Sequence, residues 1–365
     1  MSTTIHSETT PRTHAYSDEI SERSIHFVGS LPPAVSKTDL QAMQWFLDHG
    51  ADTNLLTLPS DRDPRWIIDW LDNLTNVPAL LPRRTGNSAG YDDMPTYRLA
   101  PGRFLAPEDV SLRRVRDVTV AMATRPRLRT TGDLPPHQVS IPNALDLSYF
   151  CFGTPRPALA ALPIFRDALI EDVLEIHNRW DAEVTFQLET PAVLTLFERT
   201  PRPLWKMLAL GLAKQAAELI TAAPPEINWI IHLCYGDLAH RPMFEPTDLV
   251  AAVLYLNALE RRLTKAGYPI PTAHIPLCTG TSAPPTDRAF YRALGHLRSN
   301  IDIIAGLVDE SHAAASFVAL QLAEDEFDRP IRTIAASCGL GRRPPEAAAA
   351  NIRLARKLAR TPILH

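Results

Sequence analysis

An α/β chain folded as a closed (β/α)8 TIM barrel is the architecture this sequence predicts, on three observations. Short apolar runs alternate with amphipathic helical stretches along most of the 365 residues. The runs number eight, each followed by a helix or a long connection, as a parallel sheet covered by helices requires. Polar residues gather at or just past the C-terminal ends of those runs, which in a barrel converge on one mouth. The rival, a doubly wound nucleotide-binding sheet, wants a Gly-rich first turn, and near the first run there is only Gly29.

In order, residues 1–21 are rich in Ser and Thr and are expected to form a flexible leader, with a single barrel domain over 22–365. Residues 25–30 (IHFVGS) form the first strand and 36–49 the first helix. Residues 54–60 form a second short strand and 64–74 a second helix. Residues 77–133 carry scattered Arg and Pro and read as an irregular excursion holding at most one or two helices. Strands follow at 138–143, 183–189, 228–234, 272–277, 301–308 and 331–337. Helices follow at 163–180, with Pro163 as a first-turn residue, then at 203–221, 248–266, 287–297, 313–326 and 345–358. The 33 prolines, about twice the usual share, cluster at the junctions between these elements, where a missing N–H costs least.

Composition narrows the function. With 45% apolar and 21% charged residues, the chain can build a sizeable core. Thirty-seven basic against 41 acidic residues, a net charge of −4, give no electrostatic case for a nucleic-acid partner. No apolar run is long enough to span a bilayer, and no hydrophobic targeting segment follows a basic start, so no membrane is expected. Four scattered cysteines do not make a disulfide scaffold, so a reducing, cytoplasmic setting is expected, with the thiols open to metal chemistry.

His232-Leu-Cys234 is the sharpest element. In a strand, residues i and i+2 point to one side, so imidazole and thiol converge. Cys338 ends the last strand and returns to the same rim. One imidazole and two thiolates suit Zn²⁺, which accepts a mixed N/S shell and leaves a fourth position for water or a thiol. The competing reading makes the cysteines small core residues and His232 a hydrogen-bonded core histidine. Gly29-Ser30, Ser60-Asp61, Asn143, Glu189, Asp237, His274 and Asp309 lie at other strand ends. His274 has the neutral-range titration of a general acid or base. Cys278 is near enough in sequence to approach the metal, whereas Cys151 fits a pocket wall. Phe27, Trp229 and Tyr235 fit core and rim packing, and the Arg342-Arg343 pair is by default solvated, though it could meet an anion.

These segments also carry a resemblance. Residues 229–237 (WIIHLCYGD) resemble the H-x-C-Y zinc segment of the cobalamin-independent methionine synthases, and 337–342 (SCGLGR) the later segment bearing a second zinc cysteine. Residues 27–32 (FVGSLP) resemble the start of that family's catalytic barrel, and 187–192 (QLETPA) its Q-I-D-E-P-A segment. The four motifs run in the family's order, and the pattern is closer to short single-barrel relatives than to the two-barrel enzyme. The resemblance implies a barrel shared with uroporphyrinogen decarboxylase and zinc bound by His232, Cys234 and Cys338. It also implies Val28 and Ser30 beside a substrate carboxylate and Glu189 beside its amine. Asp61, Asn143, Tyr235 and Asp237 are further substrate-facing candidates. The family's D-E pair becomes Glu189-Thr190, which puts amino-acid recognition in question. Its catalytic histidine segment is approximated by 306–312 (GLVDESH), which makes Asp309, with His312 one place late, the acid candidate beside His274. Glu260 is the sequence candidate for a fourth ligand.

The implied activity is a zinc-dependent transfer of a methyl or small alkyl group to or from a thiol, with a small-molecule thiol and an alkyl donor as partners. The donor could be carried by a corrinoid or other protein, and a homodimer is the default assembly. The alternatives are a lyase or decarboxylase on the same barrel, and a non-catalytic zinc-stabilised barrel serving as a binding or assembly protein.

Overall fold

In a computed structural model, residues 22–61, 65–90, 93–130, 132–236 and 238–363 are described. The residues of the expected leader lie outside them. Ten strands are present among the described residues: β1 (Ser24–His26), β2 (Leu58–Pro59), β3 (Leu80–Arg84), β4 (Thr96–Leu99), β5 (His137–Pro142), β6 (Val184–Thr190), β7 (Trp229–Leu233), β8 (Thr272–Pro276), β9 (Ile303–Val308) and β10 (Thr333–Ala336). Eight of them form one sheet in the order β1-β10-β9-β8-β7-β6-β5-β2, every pair parallel. The remaining two, β3 and β4, make an antiparallel hairpin inside the irregular excursion, which the sequence pattern did not reveal.

The expected closed (β/α)8 barrel is not what forms. The sheet is an open, curled half-barrel that turns 267° round its axis and leaves its edges 8 Å apart. The physical reason lies in the edge strands. β2 has two residues, one of them Pro59, which has no N–H to give to a ladder. Between β1 and the chain leading into β2 there is a single parallel bridge, Ile25 to Leu55, with two backbone bonds: Ile25 N donates to Asn54 O at 2.8 Å and Leu56 N to Ile25 O at 2.9 Å.

Period-two alternation assigns the two faces of the sheet. Phe186, Leu188, Ile231, Leu233, Ala273, Ile275, Ala305 and Leu307 are at or near zero exposure and join one apolar core with the surrounding helices. Truncating one of these Leu, Ile or Phe side chains to Ala removes about 2–5 kcal/mol. The intervening residues Gln187, Glu189, Ile230, His232, His274 and Ile304 fall on the opposite, concave face, where polar side chains sit above a small apolar floor of Val28, Ile230, Ile304 and Ala335.

The helices follow local signals. Thr38 caps Asp39–His49, its hydroxyl accepting from Gln41 N at 3.2 Å. Asn143 caps a helix at Ala144–Phe152 that the apolar pattern had hidden, and Gly153 ends it at φ 66°, with Thr96 so close that a Cβ would clash. The next helix, Pro155–Trp180, starts eight residues earlier than Pro163 suggested: Pro155 takes the first-turn position and Pro163 lies inside the helix. Among the described residues no helix is long and apolar enough to cross a membrane.

Candidate functional site

Strand β7 carries His232 near its end and Cys234 just beyond, and the i, i+2 spacing sends both side chains to the concave face. The turn after β10 brings Cys338 alongside. The two sulfurs are 3.7 Å apart with no disulfide between them, and an imidazole nitrogen and both sulfurs lie within 4.8 Å of one another. Two sulfurs each about 2.3 Å from a tetrahedral Zn²⁺ stand about 3.8 Å apart, so this spacing fits a metal as found. The three residues can hold a metal ion, and no other group of three or more suitable side chains does so among the described residues. Gly236 N donates to Cys234 Sγ at 3.2 Å.

The cluster forms one wall of a cavity of about 150 Å³. Val28, Gly29 and Ser30 form another wall. Gln138 and Gln187 both donate their side-chain amides to Val28 O, at 2.8 and 2.7 Å, and so pin this segment in place. Gly29 at φ 130° and Ser30 at φ 37° then turn the chain sharply, and a side chain on Gly339 would collide with Ser30 Oγ at 2.6 Å. Three carboxylates line the same cavity. Asp61 pairs with Arg114 at 3.1 Å. Glu189 accepts from Gln187 Nε2 at 3.1 Å, and burial together with nearby Asp61 pushes its carboxyl up to about 7. Asp146 accepts from Ala192 N at 2.7 Å and Thr190 Oγ1 at 3.2 Å, yet burial still pushes it up to about 7. Ile67, Ile68, Met94, Phe150 and Leu238 supply an apolar lining.

No family model and no curated protein matches the sequence. Solved structures do match. A B12-independent methionine synthase from Shewanella sp. W3-18-1, in complex with selenomethionine, aligns at TM-score 0.61 and 12% identity over 93% of this chain and 97% of that one. The chain shares the fold of the B12-independent methionine synthases. A candidate methionine synthase of this type from Listeria monocytogenes aligns at TM-score 0.50 and 15% identity over 88% and 86% of the two chains. A methyltransferase from Methanosarcina mazei aligns at 0.50 and 10% over 92% and 94%.

Within this methionine-synthase-like fold, the sequence candidates separate into two groups. Val28, Ser30, Asp61, Glu189, His232, Cys234, Cys338 and Arg342 meet around one cavity. The others among the described residues do not line it. Asn143 caps a helix, and buried Tyr235 donates to Pro276 O at 2.9 Å. Asp309 is buried against the Ser311 amide and His312 Nδ1, at 2.8 and 3.0 Å, with His312 half exposed at the start of the next helix. His274 is fully buried behind His232. Cys278 points to Gly306 O at 3.6 Å, and burial raises its thiol to about 12; Cys151 is buried in Ala144–Phe152 and raised likewise. Glu260 lies in the outer helix Val250–Ala266, bonded to Asn300, Arg298 and Thr264, away from the metal cluster. Arg343 pairs with Glu310 at 3.0 Å. Asp237 lies outside the described residues.

Sequence reasoning missed Asp146, Gln138, Gln187 and Arg114. The first was findable, since it sits three residues beyond the end of the same strand as Asn143. The two glutamines were signalled by polar residues at alternating places, Gln138-x-Ser140 and Gln187-x-Glu189, in otherwise apolar strands. Arg114 reaches Asp61 from the excursion, and no local pattern announces that.

Proposed function

We propose that the protein is a zinc-dependent transferase that moves a methyl or small alkyl group to or from a thiol. The observation that carries this reading is the pair of sulfurs 3.7 Å apart beside an imidazole, set in the wall of a cavity rather than inside a sealed shell. His232, Cys234 and Cys338 would hold the ion. Bound Zn²⁺ would supply Lewis acidity, favouring the thiolate form of an entering thiol. The chain's own residues do the rest. Ile67, Ile68, Met94, Phe150 and Leu238 exclude water from the reacting sulfur. Glu189, beside His232 on the neighbouring strand, and Asp61 line the same cavity and attract a cationic nitrogen on the same ligand, while Val28, held by the two glutamines, and Ser30 shape the remaining wall. Glu189, raised to about 7, is also able to hold or release a proton near neutrality. That the Shewanella protein of this fold was captured with selenomethionine, an alkylated amino acid, agrees with the reading.

The test is metal content followed by ligand spectroscopy. Protein purified without added metal should hold near-stoichiometric zinc, and Cys234→Ser and Cys338→Ser should each lose most of it. The cobalt-substituted protein should change its thiolate charge-transfer bands when homocysteine or another small thiol is added. Unchanged zinc in both serine variants would sink the ligand assignment. Cobalt bands indifferent to every thiol would sink the transferase reading.

A further inference from the structure

Behind the metal cluster, on the side away from the cavity, a second histidine completes a chain of hydrogen bonds. His274 Nε2 lies 2.9 Å from Ala336 O, and His274 Nδ1 lies 2.9 Å from His232 Nδ1. A carbonyl oxygen only accepts, so His274 Nε2 carries a hydrogen. A neutral imidazole has one N–H, so His274 Nδ1 presents a lone pair and His232 Nδ1 must donate to it. That leaves the lone pair of His232 on Nε2.

Two further features show that the arrangement is built. His274 is fully buried, so no bulk water competes for either nitrogen. Gly306, on the neighbouring strand β9, lies so close that a Cβ there would stand 2.7 Å from His274 Nε2 and 2.9 Å from its Cε1. The glycine gives the ring its place. The carbonyl that receives His274 belongs to Ala336, two residues before Cys338, and sits where the β9–β10 register shifts. The hydrogen bonds therefore run from the strand that bears His232 and leads into Cys234, across β8, to the strand leading into Cys338.

We propose that His274 is a positioning residue for the metal site. It holds His232 in the Nδ1–H tautomer, aims its Nε2 lone pair at the two sulfurs, and ties together the strands that carry the ligands. The proposal rests on the metal-binding reading above. Outer partners of this kind, when removed, cost about 10–100-fold in metal affinity.

The test has two arms. In the metal-free wild-type protein, long-range ¹H–¹⁵N correlation spectra of the imidazoles should show His232 protonated at Nδ1 and His274 at Nε2. In competition with a chromophoric chelator at fixed pH, His274→Ala should bind zinc about 10–100-fold more weakly than wild type. His274→Asn, whose side-chain oxygen can still accept from His232 Nδ1, should recover most of that loss. A His232 protonated at Nε2 overturns the positioning role while leaving the metal reading intact, and this measurement needs no variant to fold. Zinc held as tightly by His274→Ala as by wild type, while Cys234→Ser loses it, overturns the positioning role too. A wild-type protein that binds no zinc overturns the metal reading itself.

Discussion

Asp146 offers the most direct quantitative test of the cavity's electrostatics. It is 2% exposed, and burial raises its carboxyl from 3.8 to about 7 despite bonds from Ala192 N and Thr190 Oγ1. The folded protein thus holds the proton more tightly than the unfolded chain. Its contribution is fully present below the unfolded value of 3.8 and is lost as pH rises through about 7. A three-unit shift amounts to about 4 kcal/mol at most, of which roughly half falls between pH 5 and pH 8. Asp146→Asn removes the titration while keeping the shape: the amide oxygen still accepts from Ala192 N, and the amide nitrogen can donate to Thr190 Oγ1. Urea unfolding of both proteins across pH 5 to 8 is the assay. The wild type should lose about 2 kcal/mol more than the variant over that range, the charge of Glu189 being one of the causes that raise Asp146. Parallel pH profiles, or a ¹³C carboxyl resonance of Asp146 titrating near 4, would refute the reasoning.

Two further outcomes follow from the same geometry. Gly306→Ala should destabilise the protein by about 1–3 kcal/mol in urea or thermal unfolding, because the new methyl overlaps a ring pinned at both nitrogens; an unfolding midpoint equal to wild type would count against the packing described. A thiol bearing an ammonium group should bind more tightly as pH rises through about 7 and Glu189 ionises, whereas an uncharged thiol should not show that component. Glu189→Gln should abolish the difference, and calorimetry showing the same pH profile in the variant would remove Glu189 from ligand binding.

The sequence by itself determined what depends on near neighbours. The order of strands and helices was legible because period-two and period-3.6 patterns, and the prolines that end them, are local. The pairing of His232 with Cys234 on one face was legible for the same reason, since two residues along a strand point the same way. Where local signals conflicted, reading failed: Ala144–Phe152 is apolar almost all round and hid its period, and Pro163 imitated a helix start inside a helix that begins at Pro155. Only the tertiary structure decided the long-range matters. Cys338 meets Cys234 across 104 positions because the sheet curls, and the rim position of Cys338 hinted at this without supplying the distance. The sheet stops short of closure because closure depends on the length and N–H supply of two edge strands 34 residues apart in starting position, where β2 offers only Leu58 and Pro59. The surroundings of His274, Asp146 and Glu189 were likewise set by burial. A residue's type gives its ordinary titration, but its surroundings in space set which nitrogen carries the hydrogen and which carboxyl keeps its proton.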